Sequence, residues 1–301
     1  MEIVRYVRTG STRAVIGVRQ DDGGLRPLEV DSLATLLTWP LDRLRAFVSG
    51  PAGSPETQGL RLLAPVDGLT EVWAAGVTYR RSREARMEES EVSDVYDRVY
   101  NADRPELFFK APAWRTCGDG DLVGVRADSA VDVPEPELAL VVNTFGDVVG
   151  YSVCDDVSSR SIEGENPLYL PQAKIYAGSC ALGPGIRPVW EVDDTSALTI
   201  SITVRRSGVA VWQDSCSTAT LHRDLTQLVG YLFRATDFPH GAVLSTGTGL
   251  VPDLTFSLTD GDEIDVDISG VGTLHNTVAT GSQPFRWLAD LALSALQTEG
   301  G

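Results

Sequence analysis

Short strand patterns separated by turns dominate this 301-residue chain after residue 72, and they most limit the folds open to it. The strings are ELALVVN, DVVGYSVC, LTISITVRRSG, VAVWQD, TFSLTD and DEIDVDISGVG. Such a succession, with Gly-Asp turns between several members, is typical of a mainly antiparallel β architecture. Helical spacing of apolar residues interrupts it at 218–238 and at 285–297. The sequence therefore predicts a β-rich α+β protein.

The first 65 residues follow a different pattern, in which two short strand signals precede two helical ones. IVRYVR and AVIGVRQ predict strands, while SLATLLTW and LDRLRAFVS predict helices with Ser32 and Asp42 as N-caps. A Pro/Gly-rich segment at 51–59 follows them and predicts a domain boundary. We expect a small N-terminal α/β domain at 1–65 and a larger β-sheet domain at 66–301.

Charge and cysteine usage exclude several classes of protein. The net charge of −17 and a pI near 4.5 argue against nucleic-acid binding, which needs a basic surface. No apolar run reaches the ~18 residues of a membrane helix, and the first residues lack the apolar core of a secretory signal. The four cysteines form no CxxC pair, which favours a reducing compartment. We expect a cytoplasmic protein with neither a nucleic-acid nor a membrane partner.

Lysine is almost absent from the chain, which has two lysines and twenty-three arginines. Lys110 closes the string RPELFFK, and Lys174 closes GENPLYLPQAK. Arginine replaces lysine easily on a surface, but not where a compact ammonium must lose its proton. Most single lysines are exposed surface groups. In this composition the two that remain are candidates for chemistry.

Two glutamates stand two residues apart between these lysines, in the string PEPELALVV. Side chains at i and i+2 of a strand share a face, so Glu135 and Glu137 are expected on one side of an apolar strand. If they are buried, a divalent cation neutralises them, because hard cations prefer carboxylate oxygen. An exposed edge carrying two acids fits the spacing equally well. Asp155 and Asp156 follow the next strand and supply either a third ligand or an ordinary turn.

Proton transfer next to such an ion is expected of Lys174 and Glu106. A partly buried amine near a divalent ion has a lowered pKa, which makes a neutral amine base available. Glu106, in the same string as Lys110, is a second proton-transfer candidate or an exposed residue at a strand start. Lys110 is expected either to position the substrate or to pair with an acid.

Two further segments are expected to border the site. The charged helical segment at 82–101 is predicted to close over the substrate as a flap, with Arg80, Arg81 or Arg83 near the substrate's charges. The string STGTGLVP at 245–252 offers backbone amides and hydroxyls in a Gly-rich turn, which suits a carboxylate or a phosphate. It is neither a Walker loop nor a GxGxxG string.

Together these strings resemble the fumarylacetoacetate hydrolase superfamily. The matching strings are WAAGVTY, RPELFFK, EPELALVV, GYSVCDDVSSR, the Lys174 segment ending in LGPGI, LSTGTGLVP and GDEIDVDISGVGTLHN. They occur in the family's order over residues 72–280. The resemblance implies a rolled mixed or antiparallel β-sheet in the larger domain, and a homodimer or homotetramer.

The resemblance also implies roles for individual residues. It implies that Glu135, Glu137 and Asp156 hold Mg²⁺, for which Mn²⁺ or Ca²⁺ can substitute, while Asp155 takes a place usually held by Asn. Lys174 falls on the family's active-site lysine. Substrate contacts are expected of Ser82, Lys110, Arg160 and Thr248.

One departure from the family pattern narrows the expected reaction. Hydrolases of the family carry a His a few residues after a GxNY string, paired with a Glu, to activate water. Here the string is GVTYRRSRE, and Ser82 stands where the His would be. SRSIEGENPLYLPQAKIY and DVYDRVYNADRPELFFKA instead resemble the branch of 2-keto-3-deoxy pentonate dehydratases, in which Glu106 and Lys174 match the proton-transfer pair.

The resemblance implies a Mg²⁺-dependent hydro-lyase acting on a small 2-keto acid. Such an enzyme forms an enolate at the metal and releases the C4 hydroxyl, which gives 2,5-dioxopentanoate. Two alternatives stay open. One is a hydrolase or decarboxylase of a 2,4-diketo acid or oxaloacetate on the same metal site, and the other is an inactive binding protein.

Overall fold

The computed structural model describes residues 1–20, 23–50, 53–89, 93–253 and 255–298. The strands are β1 (Glu2–Arg8), β2 (Ala14–Arg19), β3 (Leu25–Pro27), β4 (Leu60–Leu63), β5 (Glu71–Gly76), β6 (Glu106–Pro112), β7 (Leu122–Val125), β8 (Asp132–Val133), β9 (Pro136–Val142), β10 (Val148–Asp156), β11 (Ser158–Ser159), β12 (Cys180–Pro188), β13 (Thr199–Arg206), β14 (Val209–Ser217), β15 (Ala242–Ser245), β16 (Glu263–Ile268) and β17 (Gly272–Thr280). The α-helices are α1 (Leu33–Leu37), α2 (Leu41–Val48), α3 (Arg80–Glu89), α4 (Ser93–Asn101), α5 (Arg160–Glu165), α6 (Leu170–Lys174), α7 (Leu225–Leu232) and α8 (Arg286–Thr298).

Two large sheets organise the described chain. Ten strands form the first, in the order β3-β2-β1-β12-β10-β9-β15-β5-β6, with β4 also paired to β1. Five strands form the second, in the order β14-β13-β16-β17-β7, and β8 pairs with β11. Most neighbours are antiparallel, while β15 with β5 and β17 with β7 are parallel. The predicted β-rich α+β fold with mixed, mainly antiparallel sheets is confirmed.

Strand β9 is buried on both faces because it lies inside the first sheet between two apolar clusters. Leu138 and Leu140 belong to a cluster shared with the second sheet, whereas Ala139 and Val141 belong to one that includes helices α1 and α2. By the two-residue period of a strand, Glu137 shares the face of Ala139. A carboxylate there is costly unless charged or polar groups meet it.

The N-terminal strands continue the first sheet. Ile3 of β1 pairs with Ile186 of β12, so this sheet runs across the predicted boundary near residue 65, and that boundary stays a prediction. Ser32 caps α1 as predicted, since its hydroxyl accepts a hydrogen bond from the Thr35 amide at 3.0 Å. The prediction of Asp42 as an N-cap is wrong, because Pro40 holds the cap and Asp42 lies in the first turn of α2.

Two elements differ from the sequence patterns. Of the α-helix predicted at 218–238, only α7 forms. The Asp224 side chain caps the start of α7, and before it the amide of His222 bonds to the Thr78 carbonyl at 2.9 Å instead of to a helical carbonyl. The string TFSLTD is not a strand, since the amide of Leu258 donates to the Asp132 carbonyl at 2.8 Å outside the two large sheets. The predicted C-terminal helix is confirmed as α8.

The predicted flap segment contains two helices, α3 and α4, which contact each other. Residues 90–92, which the flap prediction includes, lie outside the described residues. Across the described ranges, none of the helices has the length and apolar character needed to span a membrane.

Candidate metal centre and active site

Three carboxylates meet where β9 begins and β10 ends. The strands pair so that Glu137 faces Cys154 and Pro136 faces Asp155, and the amide of Asp156 donates to the Glu135 carbonyl at 2.9 Å. Oxygen atoms of Glu135, Glu137 and Asp156 consequently lie within 4.8 Å of one another. Each of these residues is at most 3% exposed, which excludes the alternative of an exposed acidic edge.

The buried charges around this cluster are unequal in number. Among the side chains that the structure describes, six acids surround it or line the adjoining cavity: Glu106, Glu135, Glu137, Asp155, Asp156 and Glu163. Four basic side chains contact them: Arg86, Lys110, Arg160 and Lys174. When all are ionised, the site is two positive charges short. The deficit and the purely oxygen donor set both fit a hard divalent cation such as Mg²⁺.

Of the three clustered carboxylates, Glu137 is the one with the least compensation by nearby cations. Its Oε2 accepts hydrogen bonds from the Ser245 hydroxyl at 2.5 Å and the Gly247 amide at 2.8 Å. Burial, and then repulsion by Asp156 and Glu135, raise the pKa of Glu137 well above its ordinary value. A metal ion removes this penalty, because it favours the ionised form.

Glu135 lies at the centre of the cationic contacts. Its Oε1 accepts from Arg86 at 2.7 Å and from Arg160 at 3.2 Å, and its Oε2 accepts from Lys174 at 2.6 Å. Burial raises the pKa of Glu135, but Lys174, Arg86 and Arg160 outweigh it and lower the net pKa. The neighbouring Asp155 orients this residue by accepting from the Glu135 amide at 2.9 Å.

Lys174 ends α6 and extends its ammonium into the carboxylate cluster. Besides Glu135, it donates to Asp156 at 3.2 Å and to the Ser158 hydroxyl at 2.5 Å. Burial lowers the pKa of Lys174, but Asp156 and Glu135 outweigh burial and raise it overall. The surrounding carboxylates thus favour the ammonium form of Lys174. The lowered pKa expected next to a divalent ion stays a prediction.

Lys110 is fully buried behind the cluster and does not line the cavity. Its ammonium donates to the carbonyl oxygens of Val157 at 3.0 Å and Lys174 at 2.7 Å, and it forms an ion pair with Asp156. These contacts fix the end of β10 against the end of α6.

Glu106 begins β6 and lines the same cavity as Lys174. It pairs across the sheet with Gly76, where an added Cβ would collide with the Glu106 carboxylate. Burial, and then the charge of Glu163, raise the pKa of Glu106 to about 7. The side chain thus exchanges protons readily near neutral pH.

The remaining predicted residues surround the cluster. Ser82 on α3 and Thr248 after β15 both line the cavity and are buried. The Thr248 hydroxyl bonds to the backbone of Leu250, accepting from its amide at 3.1 Å and donating to its carbonyl at 3.2 Å. Arg160, at the start of α5, reaches the site through Glu135.

Two cavity residues escaped the sequence reasoning. Arg86 on α3 and Glu163 on α5 are buried, line the cavity and form an ion pair at 2.5 Å. None of Arg80, Arg81 and Arg83 lines the cavity; Arg86, one helical turn beyond Arg83, does. The available signal was its spacing, because Arg86 stands four residues after Ser82 on one helix face.

All three histidines lie in the described part of the chain, and none of them lines this cavity. The Nδ1 of His240 accepts from the Leu69 amide at 2.9 Å, His275 contacts Asp265, and His222 stacks on Tyr100. Of the described residues, the ionisable groups that line the cavity are therefore carboxylates, one amine, one guanidinium and the phenol of Tyr96.

Three buried carboxylates clustered next to a buried lysine, at the strand ends of a mixed β-sheet, fit an enzyme site that binds a hard divalent cation. The chain belongs to the fumarylacetoacetate hydrolase family: the family model Fumarylacetoacetate (FAA) hydrolase C-terminal matches residues 71–279. The predicted family is thereby confirmed.

Named relatives match more than two thirds of this chain. The chain is 46% identical over 262 residues to the "Probable 2-keto-3-deoxyxylonate dehydratase" of Haloferax volcanii, covering 86% of this chain and 90% of that protein. It is 42% identical over 223 residues to the "2-dehydro-3-deoxy-D-arabinonate dehydratase" of Saccharolobus solfataricus, covering 73% and 74%. The solved "2-keto-3-deoxy-D-arabinonate dehydratase complexed with magnesium and 2,5-dioxopentanoate" superposes with a TM-score of 0.81 at 33% identity, covering 93% of this chain and 99% of that one.

Proposed function

We propose that this protein is a Mg²⁺-dependent dehydratase that converts a 2-keto-3-deoxy pentonate to 2,5-dioxopentanoate. The observation that carries the proposal is that Glu106 and Lys174 line one cavity with the three clustered carboxylates, while none of the histidines does. A proton-transfer pair at a carboxylate metal site suits elimination from an enolisable keto acid. The relatives named as dehydratases of such acids support the same reaction.

Glu135, Glu137 and Asp156 would hold the metal, because their oxygen atoms converge and their buried charge is undercompensated. When bound, a divalent cation stabilises negative charge on the keto oxygen as the C3 proton leaves. The Gly-rich turn after β15 suits the substrate carboxylate, since Gly247 and Thr248 line the cavity next to Glu137.

We assign the proton transfers to two side chains. Glu106 accepts the C3 proton, because a pKa of about 7 leaves it partly ionised at neutral pH. The Lys174 ammonium donates a proton to the C4 hydroxyl, which leaves as water. The resulting 2-keto-3-ene alcohol then ketonises: protons leave C5 and its hydroxyl while others add at C3 and C4, which gives the aldehyde of 2,5-dioxopentanoate.

Lys110 acts in this scheme by positioning rather than by touching the substrate. Its contacts with Asp156 and with the Lys174 carbonyl hold a metal ligand and the proton donor at a fixed separation. Arg160 acts similarly on Glu135, whereas Ser82 and Thr248 lie within reach of a ligand in the cavity.

Turnover of defined substrates tests the proposed reaction. The purified protein with Mg²⁺ and 2-keto-3-deoxy-D-arabinonate, or its C4 epimer, is expected to yield 2,5-dioxopentanoate, which NMR detects directly. Oxaloacetate and an acylpyruvate assayed alongside test decarboxylation and hydrolysis. If the protein turns over oxaloacetate or the acylpyruvate and neither pentonate, the decarboxylase or hydrolase function replaces the proposed dehydratase function.

Hydrogen exchange at C3 separates the two proton-transfer roles. In D₂O, Lys174→Arg is expected to keep Mg²⁺ binding and C3 exchange while losing dehydration. Glu106→Gln is expected to lose both exchange and dehydration, since no base remains. Exchange that persists in Glu106→Gln and disappears in Lys174→Arg reverses the assignment.

We also infer that the protein is a cytoplasmic homodimer or homotetramer with a division near residue 65. All four cysteines are free thiols, which suits a reducing compartment. Strand β14 lies at the edge of the second sheet and exposes Val209 and Val211, which suits contact with another copy. Light scattering of the full chain measures the copy number, and limited proteolysis tests for cleavage near residue 65.

A further inference from the structure

We infer that Glu163 determines which substrates the site accepts, by selecting a neutral hydroxymethyl end and rejecting a second carboxylate. This inference rests on the proposed dehydratase function and concerns the end of the substrate opposite to the metal. Glu163 stands on α5, a helix that contributes no residue to the metal cluster or to the Gly-rich turn. It is 5% exposed, yet it lines the cavity.

The contacts of Arg86 place Glu163 with respect to the metal cluster. One nitrogen of the guanidinium lies 2.7 Å from Glu135, and the other lies 2.5 Å from Glu163. The two carboxylates therefore contact different nitrogens of a single guanidinium group. Because Glu135 and Glu163 line the same cavity, a ligand that starts at the metal cluster has Glu163 within the same enclosed space.

Glu163 also acts on the groups that perform the proton transfers. Its charge is the strongest electrostatic influence that raises the pKa of Glu106, and it contributes to raising that of Lys174. A substrate whose C4 hydroxyl lies at Glu106 and Lys174 has C5 one bond further on. The C5 hydroxyl then lies where a carboxylate can accept its hydrogen bond.

Charge discriminates strongly at this position. A hydroxymethyl group donates a hydrogen bond to a carboxylate, whereas a terminal carboxylate in a water-poor cavity repels it. When its six acids and four basic side chains are all ionised, the divalent ion balances the site before any substrate enters. A monoanionic keto acid adds one negative charge, and a dianionic acid adds two.

A structural role is the competing explanation, because Glu163 holds Arg86, and Arg86 holds Glu135. The two roles differ in what they disturb. Loss of a structural contact weakens the metal site and all ligands together. Loss of a selectivity contact changes the ratio between a neutral and an anionic ligand of equal length, and it leaves metal affinity in place.

Two five-carbon keto acids measure that ratio. In 5-hydroxy-2-oxopentanoate the end is neutral, and in 2-oxoglutarate a carboxylate takes the same place. Their inhibition constants against turnover of the pentonate are measured with wild type and with Glu163→Gln in saturating Mg²⁺. Wild type is expected to bind 2-oxoglutarate about tenfold or more weakly than the neutral acid, and Glu163→Gln is expected to narrow this gap by about tenfold.

Glu165→Gln is the matched control, because Glu165 is an exposed residue of the same helix and its substitution removes the same charge. It is expected to keep the wild-type gap, as is the conservative Glu163→Asp. The Mg²⁺ affinity of Glu163→Gln, measured by calorimetry, is expected to match wild type within about threefold. If Glu163→Gln does not fold, Glu163→Ser, which removes the same charge and keeps the contact of Arg86 with Glu135, is expected to show the narrowed gap.

The outcomes separate the two proposals. An unchanged gap in Glu163→Gln, or equal weakening of both acids together with weaker Mg²⁺ binding, overturns the selectivity role. Absence of pentonate turnover by wild type overturns the dehydratase proposal, whatever the variants do. Wild-type turnover with an unchanged gap rejects the selectivity role alone.

Discussion

Lys110 donates a hydrogen bond to the backbone carbonyl of Lys174 at 2.7 Å, so the only two lysines of the chain are in contact. Both ammonium groups also pair with Asp156, one with each of its carboxylate oxygens. A guanidinium is too large and too planar to replace a compact donor held against two carbonyls and one carboxylate. At Lys110 the composition bias toward arginine therefore ends for a geometric reason.

Lys110→Met is therefore expected to destabilise the fold and to abolish turnover. It leaves the buried Asp156 carboxylate and two carbonyls without their donor, and breaking a buried ion pair costs about 3–5 kcal/mol. Urea denaturation measures the change in the free energy of unfolding. Arg13→Met, which removes a cation from an exposed position, is expected to change it by less than about 0.5 kcal/mol. A loss from Lys110→Met no larger than that from Arg13→Met would contradict the positioning role.

Glu137→Gln is expected to be more stable than wild type in EDTA and to lose that advantage in Mg²⁺. In EDTA the variant is more stable than wild type, because burial and repulsion by Asp156 and Glu135 already disfavour the ionised Glu137. The amide oxygen can still accept from Ser245 and Gly247. In Mg²⁺ at about 100 times its dissociation constant, wild type gains about 2.7 kcal/mol and the variant gains little.

Thermal unfolding with EDTA and with Mg²⁺ measures this reversal, and calorimetry measures the loss of affinity directly. Glu165→Gln, an exposed change of the same kind, is expected to track wild type in both conditions. An equal Mg²⁺ response in wild type and Glu137→Gln would remove Glu137 from the metal centre.

Local rules were sufficient to bring the clustered acids near one another, but they left a buried metal site and an exposed acidic edge equally open. The two-residue period of a strand places Glu135 and Glu137 on one face, and the next antiparallel strand brings Asp156 to the same end. The scarcity of lysine and the string RPELFFK had already indicated Lys174 and Glu106, and the family resemblance selected Asp156 as the third ligand. The structure brings all three to the same cavity.

The parts that the sequence did not predict depend on tertiary contacts. Arg86 and Glu163 stand on charged helices, where an acid or a base is usually solvated, and only the placement of α3 and α5 buries them. Predicting the raised pKa of Lys174 requires knowing how many carboxylates lie near its ammonium group. The helix expected from residue 218 begins late because the backbone at His222 bonds to Thr78 instead.

The pH dependence of turnover is expected to follow Glu106. Burial raises its pKa to about 7, and the proposed base is the ionised form, so kcat/KM falls about tenfold per pH unit below 7 and levels off above it. A pH profile of wild type measures this limb. Asp132→Asn is the control, because burial raises the pKa of Asp132 to about 6 although it does not line the cavity. A profile that instead falls as pH rises through 7 would identify Glu106 as the acid.

Arg223 anchors the flap, and its loss is expected to loosen α4. Its guanidinium donates to the carbonyls of Val99 at 2.8 Å and Tyr100 at 3.3 Å, at the end of the helix where a cation stabilises exposed carbonyls. Arg223→Met is expected to lower the protection of 93–101 from hydrogen exchange by about 1 kcal/mol, roughly fivefold in rate. Since Tyr96 of α4 lines the cavity, kcat/KM falls with it. The exposed Arg234→Met, outside the flap, is expected to alter neither quantity, and equal exchange in both variants would show that α4 is held by other contacts.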